Sequence, residues 1–131
     1  MGKKLCIVQS KYNDQITGAI LKNALIYLKR EKFITVKIVK VEGSFEIPVM
    51  ISRNIKNFDA FIAIGCIIKG QTLNFNLIST AITNGIMNLS INEKKPIGNA
   101  ILTCFNKSQA KKRLNKGSEA AKAVIQILKN A

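Results

Sequence analysis

Residues 58–68 read "FDAFIAIGCII", and after Asp59 they carry no charged side chain and no stretch that alternates with polar residues. A strand with one wet face alternates apolar and polar positions. A strand covered on both faces does not, and this is the pattern of a central strand in a parallel sheet.

Parallel strands need crossovers, and the flanking sequence supplies them. Upstream, "EGSFEIPVMISRNIKN" (42–57) opens on a glycine turn and carries Pro48 early in a helical pattern, where proline is tolerated because that N–H has no intrahelical partner. Downstream, "TLNFNLISTAITNGIMNLS" (72–90) reads as a further helix. Farther out, "KLCIVQS" (4–10) is a buried strand. Asn13 or Asp14 then caps a helix whose apolar positions Ile16, Ala19, Ile20, Ala24, Tyr27 and Leu28 recur at helical spacing. "TVKIVKV" (35–41) and "PIGNAILTC" (96–104) are strands, and "SQAKKRLN" and "KGSEAAKAVIQILKN" close the chain as a short and a longer helix. The order β-α-β-α-β-α-β-α-α predicts one α/β domain over residues 1–131. It is a three-layer, flavodoxin-like fold with a four-stranded parallel sheet and helices on both faces. Ligands of such sheets bind beyond the carboxyl ends of the strands, here "QSKYND", "EGSFEIP", "GCIIKGQT" and "TCFNKS".

Composition narrows the chemistry. At 131 residues and 47% hydrophobic, the chain can build a core without disulfides. Its three cysteines, Cys6, Cys66 and Cys104, lie in apolar strand-like runs with no C-x-x-C pair, which points to a reduced, cytoplasmic protein. No stretch has the length of a signal-peptide core or a membrane span. The net charge of +14 comes from 21 basic residues of which only Arg30, Arg53 and Arg113 are arginine. Specific nucleic-acid recognition leans on the bidentate guanidinium, so this lysine surface is expected to gather anionic small molecules and to read no specific nucleic acid.

The chain has no histidine, which removes Ser-His-Asp and Cys-His catalysis and imidazole-based zinc sites; no metal is expected. Cys66, without a histidine partner, reads as an inert strand residue. No phosphate-binding P-loop or dinucleotide fingerprint occurs. "KGQT" (69–72) is expected to place glycine-flanked amides at the start of the third helix, where free N–H groups and the helix dipole favour a phosphate or carboxylate. "SFEIP" leaves two readings open: Phe45 stacks on a flat ring whose N–H groups Glu46 accepts, or Phe45 is a hydrophobic staple beside a solvated first-turn acid.

Four motifs in register, "EGSFEIP", "AIGCIIKGQTLNF", "AILT" and "NKGSEAA", resemble the lumazine synthase family of riboflavin biosynthesis, and the resemblance runs from Tyr12–Asn13 to the last helix. It implies a flavodoxin-like subunit in pentamers or multiples of pentamers, with each active site shared between neighbours. It also implies condensation of 5-amino-6-(D-ribitylamino)uracil with 3,4-dihydroxy-2-butanone 4-phosphate to 6,7-dimethyl-8-ribityllumazine, with no cofactor. By the same resemblance Tyr12 stacks on the pyrimidine, Ser44, Phe45 and Glu46 hold the pyrimidine and ribityl groups, and Ile67 and Ile68 present backbone groups to the ring. Gln71 and Thr72 hold the phosphate, and Asn99 in "PIGNAILTC" joins the substrate-binding set. Arg113 reaches the phosphate from the adjacent subunit, and Lys116 lies near the ring.

The pattern breaks at Asn74, where the family usually has a histidine that shuttles protons; asparagine cannot titrate. The segment between Arg113 and "NKG" is also several residues shorter than is usual. The expected result is a slower enzyme. The alternative is a weak or silent family member that binds a lumazine or flavin as an assembly. A related enzyme, the archaeal-type riboflavin synthase, fits the phosphate-binding turn less well.

Overall fold

The computed structural model describes residues 2–130. Four strands, β1 (Lys3–Ser10), β2 (Ile34–Val41), β3 (Ala60–Ile68) and β4 (Ile97–Cys104), form one parallel sheet in the order β2-β1-β3-β4. The helices are α1 (Asp14–Leu28), α2 (Ile47–Asn54), α3 (Phe75–Glu93), α4 (Lys107–Lys111) and α5 (Lys116–Lys129). This is the three-layer α/β architecture expected from the strand–helix alternation. None of the helices described is long and apolar enough to cross a membrane.

Every residue of β3 is buried, as its unbroken apolar run requires. Its even-numbered side chains join Leu5 and Ile7 of β1 in a core closed by α1 (Ile16, Ile20, Ala24, Leu28) and α5 (Ala120, Ala121, Val124, Ile125). Its odd-numbered side chains join Cys6 and Val8 in a second core, closed by α2 (Ile47, Ile51) and α3 (Ile82, Ile86). The two apolar faces of one strand thus become the floors of two separate cores, and burial of these aliphatic chains at about 1.5–3 kcal/mol each is what holds the layers together.

α1 and α5 cross closely because small residues meet at the crossing. A side chain at Gly117 would run into the backbone of α1, at Ile20 and at Ala24 N. At the same place the Ser118 N–H, in the first turn of α5, donates to Asn23 Oδ1 of α1 at 2.6 Å. A side chain from the neighbouring helix therefore satisfies one of the orphan donors of α5. On β4, the Ile101 N–H donates to Asn99 Oδ1 two residues earlier, at 3.0 Å.

One helix boundary differs from the sequence reading. "KGQT" was expected to open the third helix, but Lys69–Gln71 form a separate 3-10 turn, Thr72 is extended, and α3 starts at Phe75 with Asn74 at its N-cap position. The reason is burial: Phe75, Ile78, Ile82 and Ile86 reach the second core at helical spacing, whereas Leu73 is fully exposed, so a longer helix would bury nothing more.

Candidate active site

At the carboxyl end of the sheet, a cavity of about 200 Å³ is lined by Tyr12, Gly43, Ser44, Phe45, Cys66, Ile67, Ile68, Gln71, Thr72 and Ile78. Three connections meet there: the one after β1, the turn between β2 and α2, and the end of β3 with its 3-10 turn. Each is anchored differently.

The first connection turns at Asn13, whose φ of 60° and ψ of 48° put it in the left-handed region. Asparagine tolerates this conformation better than most residues. The expectation that residue 13 caps α1 is met in position only, because its side chain makes no capping bond. Instead Asn13 Nδ2 donates to the Cys66 carbonyl at 3.2 Å and to Gln71 Oε1 at 3.0 Å, while Gln71 Nε2 lies 3.4 Å from Asn13 Oδ1. The carboxamide pair ties the loop after β1 to the loop after β3. Tyr12, immediately before it, is 57% exposed beside the cavity.

The second connection is a 3-10 turn, Ser44–Glu46, held by a reciprocal pair: the Glu46 N–H donates to the Gly43 carbonyl, and the Gly43 N–H donates to Glu46 Oε1 at 2.9 Å. Glu46 is thus occupied in fixing the turn and does not line the cavity. Phe45 is 64% exposed, so it is not the buried staple that one of the two sequence readings allowed.

In the third connection Thr72 forms a wall shared by this cavity and a neighbouring depression lined by Lys69, Leu73, Asn74, Phe75, Asn76 and Leu77. Asn74 is exposed, its N–H lies 3.4 Å from Thr72 Oγ1, and its carboxamide makes no capping bond. Thr72 is not the N-cap of α3.

The remaining residues singled out in the sequence lie elsewhere in the chain. Arg113 lines a separate depression with Thr103, Cys104, Phe105, Gln109 and Lys112. Lys116 opens α5 on the α1 side of the sheet, and Asn99 sits on β4 with its Oδ1 on the Ile101 N–H. A cavity of about 630 Å³ at the amino ends of the strands, among Lys4, Lys37 and Lys56, holds none of these residues. Sequence reasoning missed the Asn13–Gln71 pair, the Ile78 wall, and Phe105, an exposed ring with Lys69 Nζ 5.4 Å from its centre. An exposed aromatic at a strand's carboxyl end was the one signal available for Phe105.

Cys66 lines the cavity, but burial pushes its thiol up to about 11, with Cys104 adding to the rise. At pH 8 its thiolate fraction is then on the order of one in a thousand, and the thiolate is the nucleophile. Iodoacetamide at that pH is expected to leave Cys66 unmodified in the folded protein and to alkylate it in denaturant. Mass spectrometry distinguishes the two, and rapid labelling of the folded chain would contradict this environment.

The arrangement therefore offers exposed aromatic rings, strand-end backbone groups and a hydroxyl–carboxamide pair around one small cavity, with no histidine among them. The family model for 6,7-dimethyl-8-ribityllumazine synthase matches residues 2–131. This chain belongs to the lumazine synthase family. Among curated relatives named 6,7-dimethyl-8-ribityllumazine synthase, that of Buchnera aphidicola subsp. Baizongia pistaciae is 40% identical, over 96% of this chain and 86% of the relative. That of Corynebacterium urealyticum is 36% identical, over 95% and 81%, and that of Pyrococcus furiosus 35% identical, over 96% and 83%. For a lumazine synthase family member, the absence of any histidine makes the proton-transfer step the open chemical question.

Proposed function

We propose that this chain is a lumazine synthase that condenses 5-amino-6-(D-ribitylamino)uracil with 3,4-dihydroxy-2-butanone 4-phosphate, releasing phosphate and water and giving 6,7-dimethyl-8-ribityllumazine. The observation that carries the reading, with family membership, is the convergence of Tyr12, Ser44, Phe45, Ile67, Ile68, Gln71 and Thr72, from three separate connections, on one cavity. In this reading Tyr12 and Phe45 offer ring faces to the pyrimidine, with Ser44 at the ribityl side and Glu46 holding the turn that carries Ser44 and Phe45. The ends of β3 at Ile67 and Ile68 meet the ring edge, and Gln71 and Thr72 receive the phosphate.

A cavity of about 200 Å³ lies below the roughly 300–1,000 Å³ of a typical small-molecule site. Two substrates need more walls than one chain supplies. The exposed apolar residues Leu73, just before α3, and Leu77, Met87 and Ile91 along it support a homo-oligomer, for which the family resemblance implies pentamers. Arg113 then reaches the phosphate from a neighbouring copy, with Lys116 near the ring and Asn99 in the substrate-binding set.

Most of the catalysis is assigned to positioning. Holding an amine against a ketone in attack geometry supplies ~7–11 kcal/mol, more than the 10²- to 10⁴-fold of a positioned acid or base. Water or the substrate's phosphate relays the protons that Asn74 cannot carry. The test is to mix both substrates with purified protein and follow lumazine absorbance against the uncatalysed background. Enzyme-dependent product is expected. Arg113→Ala and Thr72→Ala should each raise KM for the butanone phosphate by about 10- to 100-fold, the range for a charged hydrogen bond. A rate equal to background, with lumazine still bound, would favour the silent binding assembly.

A further inference from the structure

The second-core face of β3 presents Phe61, Ala63, Gly65 and Ile67 in succession, with a gap at Gly65 where no side chain stands. Over that gap lies the turn that carries Phe45. A Cβ built at Gly65 would sit far inside van der Waals distance of Ser44 Oγ, and 3.3 Å from both Ser44 Cβ and Ile47 Cδ1. The turn thus uses the space that any other residue would fill. We infer that Gly65 is a positioning residue, whose missing side chain is the seat for Ser44 and sets how closely the Gly43–Glu46 turn approaches the end of β3.

Conformational freedom does not explain this glycine, because none of the glycines described has a positive φ. The constraint is contact. Glu46 locks the turn to Gly43 as one small rigid unit, and Ile47 fixes its far end in the core with no exposed surface. The Ser44 hydroxyl must turn away or be pushed out, and the approaches to Ser44 Cβ and Ile47 Cδ1 at 3.3 Å remain in either case, so a methyl group at residue 65 displaces Ser44 and, through the locked turn, shifts Phe45 relative to Ile67 and Ile68 across the cavity. Gln71 and Thr72 belong to a different connection, the turn that follows Ile68 at the same carboxyl end of β3, where Gln71 is tied to Asn13 and not to Ser44. The seat therefore governs the aromatic, ribityl side of the cavity and leaves the phosphate side as it is.

This inference rests on the lumazine synthase reading for its kinetic consequence, and a thermal measurement tests the seat without it. Gly65→Ala, Ser44→Ala and the double variant are compared by steady-state kinetics and by thermal unfolding. Gly65→Ala is expected to raise KM for the ribitylaminouracil by about tenfold or more, since misplacement by 1 Å can cost ~10²-fold, while KM for the butanone phosphate stays within about twofold. Adding Ser44→Ala removes the Oγ collision and leaves approaches of 3.3 Å, which shifts of a few tenths of an ångström relieve. The double variant should therefore recover both the melting midpoint and KM toward the values of Ser44→Ala alone.

Additive losses, with no recovery in either measurement, would overturn the inference, as would equal increases in both KM values. If Gly65→Ala does not fold, recovery of a folded double variant supports the seat, and failure of both overturns it. If the wild-type chain makes no lumazine, the function falls while the thermal comparison still decides the seat.

Discussion

Asn74→His is expected to raise turnover by at least about tenfold, part of the 10²- to 10⁴-fold that a positioned general acid or base contributes. The place is suited to an imidazole. Asn74 stands at the N-cap position of α3, exposed, beside the Thr72 wall, and its own side chain caps nothing that a substitution would release. A helix N-terminus carries a partial positive charge, which disfavours a cationic ring and moves a histidine pKa below its usual value of about 6.5. At pH 7 to 8 the new side chain is then neutral and able to accept a proton. The gain should be present above the depressed pKa and fade as pH falls through it. Turnover unchanged across that range would mean that proton transfer at residue 74 does not limit the rate, and the account of a slow enzyme waiting on its protons would be wrong.

Gly117→Ala should produce the largest loss of stability of any single methyl group added to this chain. The new Cβ meets backbone, not the movable end of a side chain: Ile20 O at a distance no real Cβ adopts, Ala24 N at 3.0 Å and the Ile20 carbonyl carbon at 3.2 Å. Overpacking of a core costs ~1–3 kcal/mol where neighbours can shift. Here the neighbour is the axis of α1, and moving it also breaks the bond from the Ser118 N–H to Asn23 Oδ1. A cost of about 3 kcal/mol or more corresponds to a fall in melting midpoint of ~10 °C for a domain of this size. Gly18→Ala is the control. It adds the same methyl within α1 where nothing lies within 4 Å, and an alanine in a helix interior is favoured over glycine by roughly 1 kcal/mol. Thermal unfolding followed by circular dichroism should move the two midpoints in opposite directions. A Gly117→Ala midpoint within about 2 °C of the parent would contradict the rigid crossing.

The glycines, set beside the strands, show where the sequence could be read and where it could not. The strands and the layers were legible because burial on both faces writes itself directly into composition: Ala60 to Ile68 have no polar interruption, and no other placement covers such a segment. The glycines were not legible, because what each one makes room for is distant in sequence: Ser44 for Gly65, Ile20 and Ala24 for Gly117, Ala120 for Gly98. The start of α3 was misplaced for a related reason. Thr72 is a good cap by type, but the helix begins where its side chains first reach the core, at Phe75.

Within the candidate site, legibility came from motifs and not from periodicity. "EGSFEIP" and "GCIIKGQT" marked the connections that line the cavity, yet nothing in them said that Glu46 would be committed to the Gly43 N–H or that Gln71 would pair with Asn13. Arg113, Lys116 and Asn99 carried the same motif-level support and lie outside the cavity of their own chain. Sequence order holds no measure of distance across a sheet, and none of distance to a second copy.

The bond between Asn99 Oδ1 and the Ile101 N–H changes what the open edge of the sheet offers to another strand. An edge strand is a template: its free donors and acceptors invite another strand, and repeated addition leads to fibres. β4 is an edge, and at its middle the donor is already spent on a carboxamide from its own chain. A would-be partner strand finds one rung of the ladder missing and a polar side chain lying across it. Backbone pairing at this edge is therefore disfavoured relative to contact through side chains.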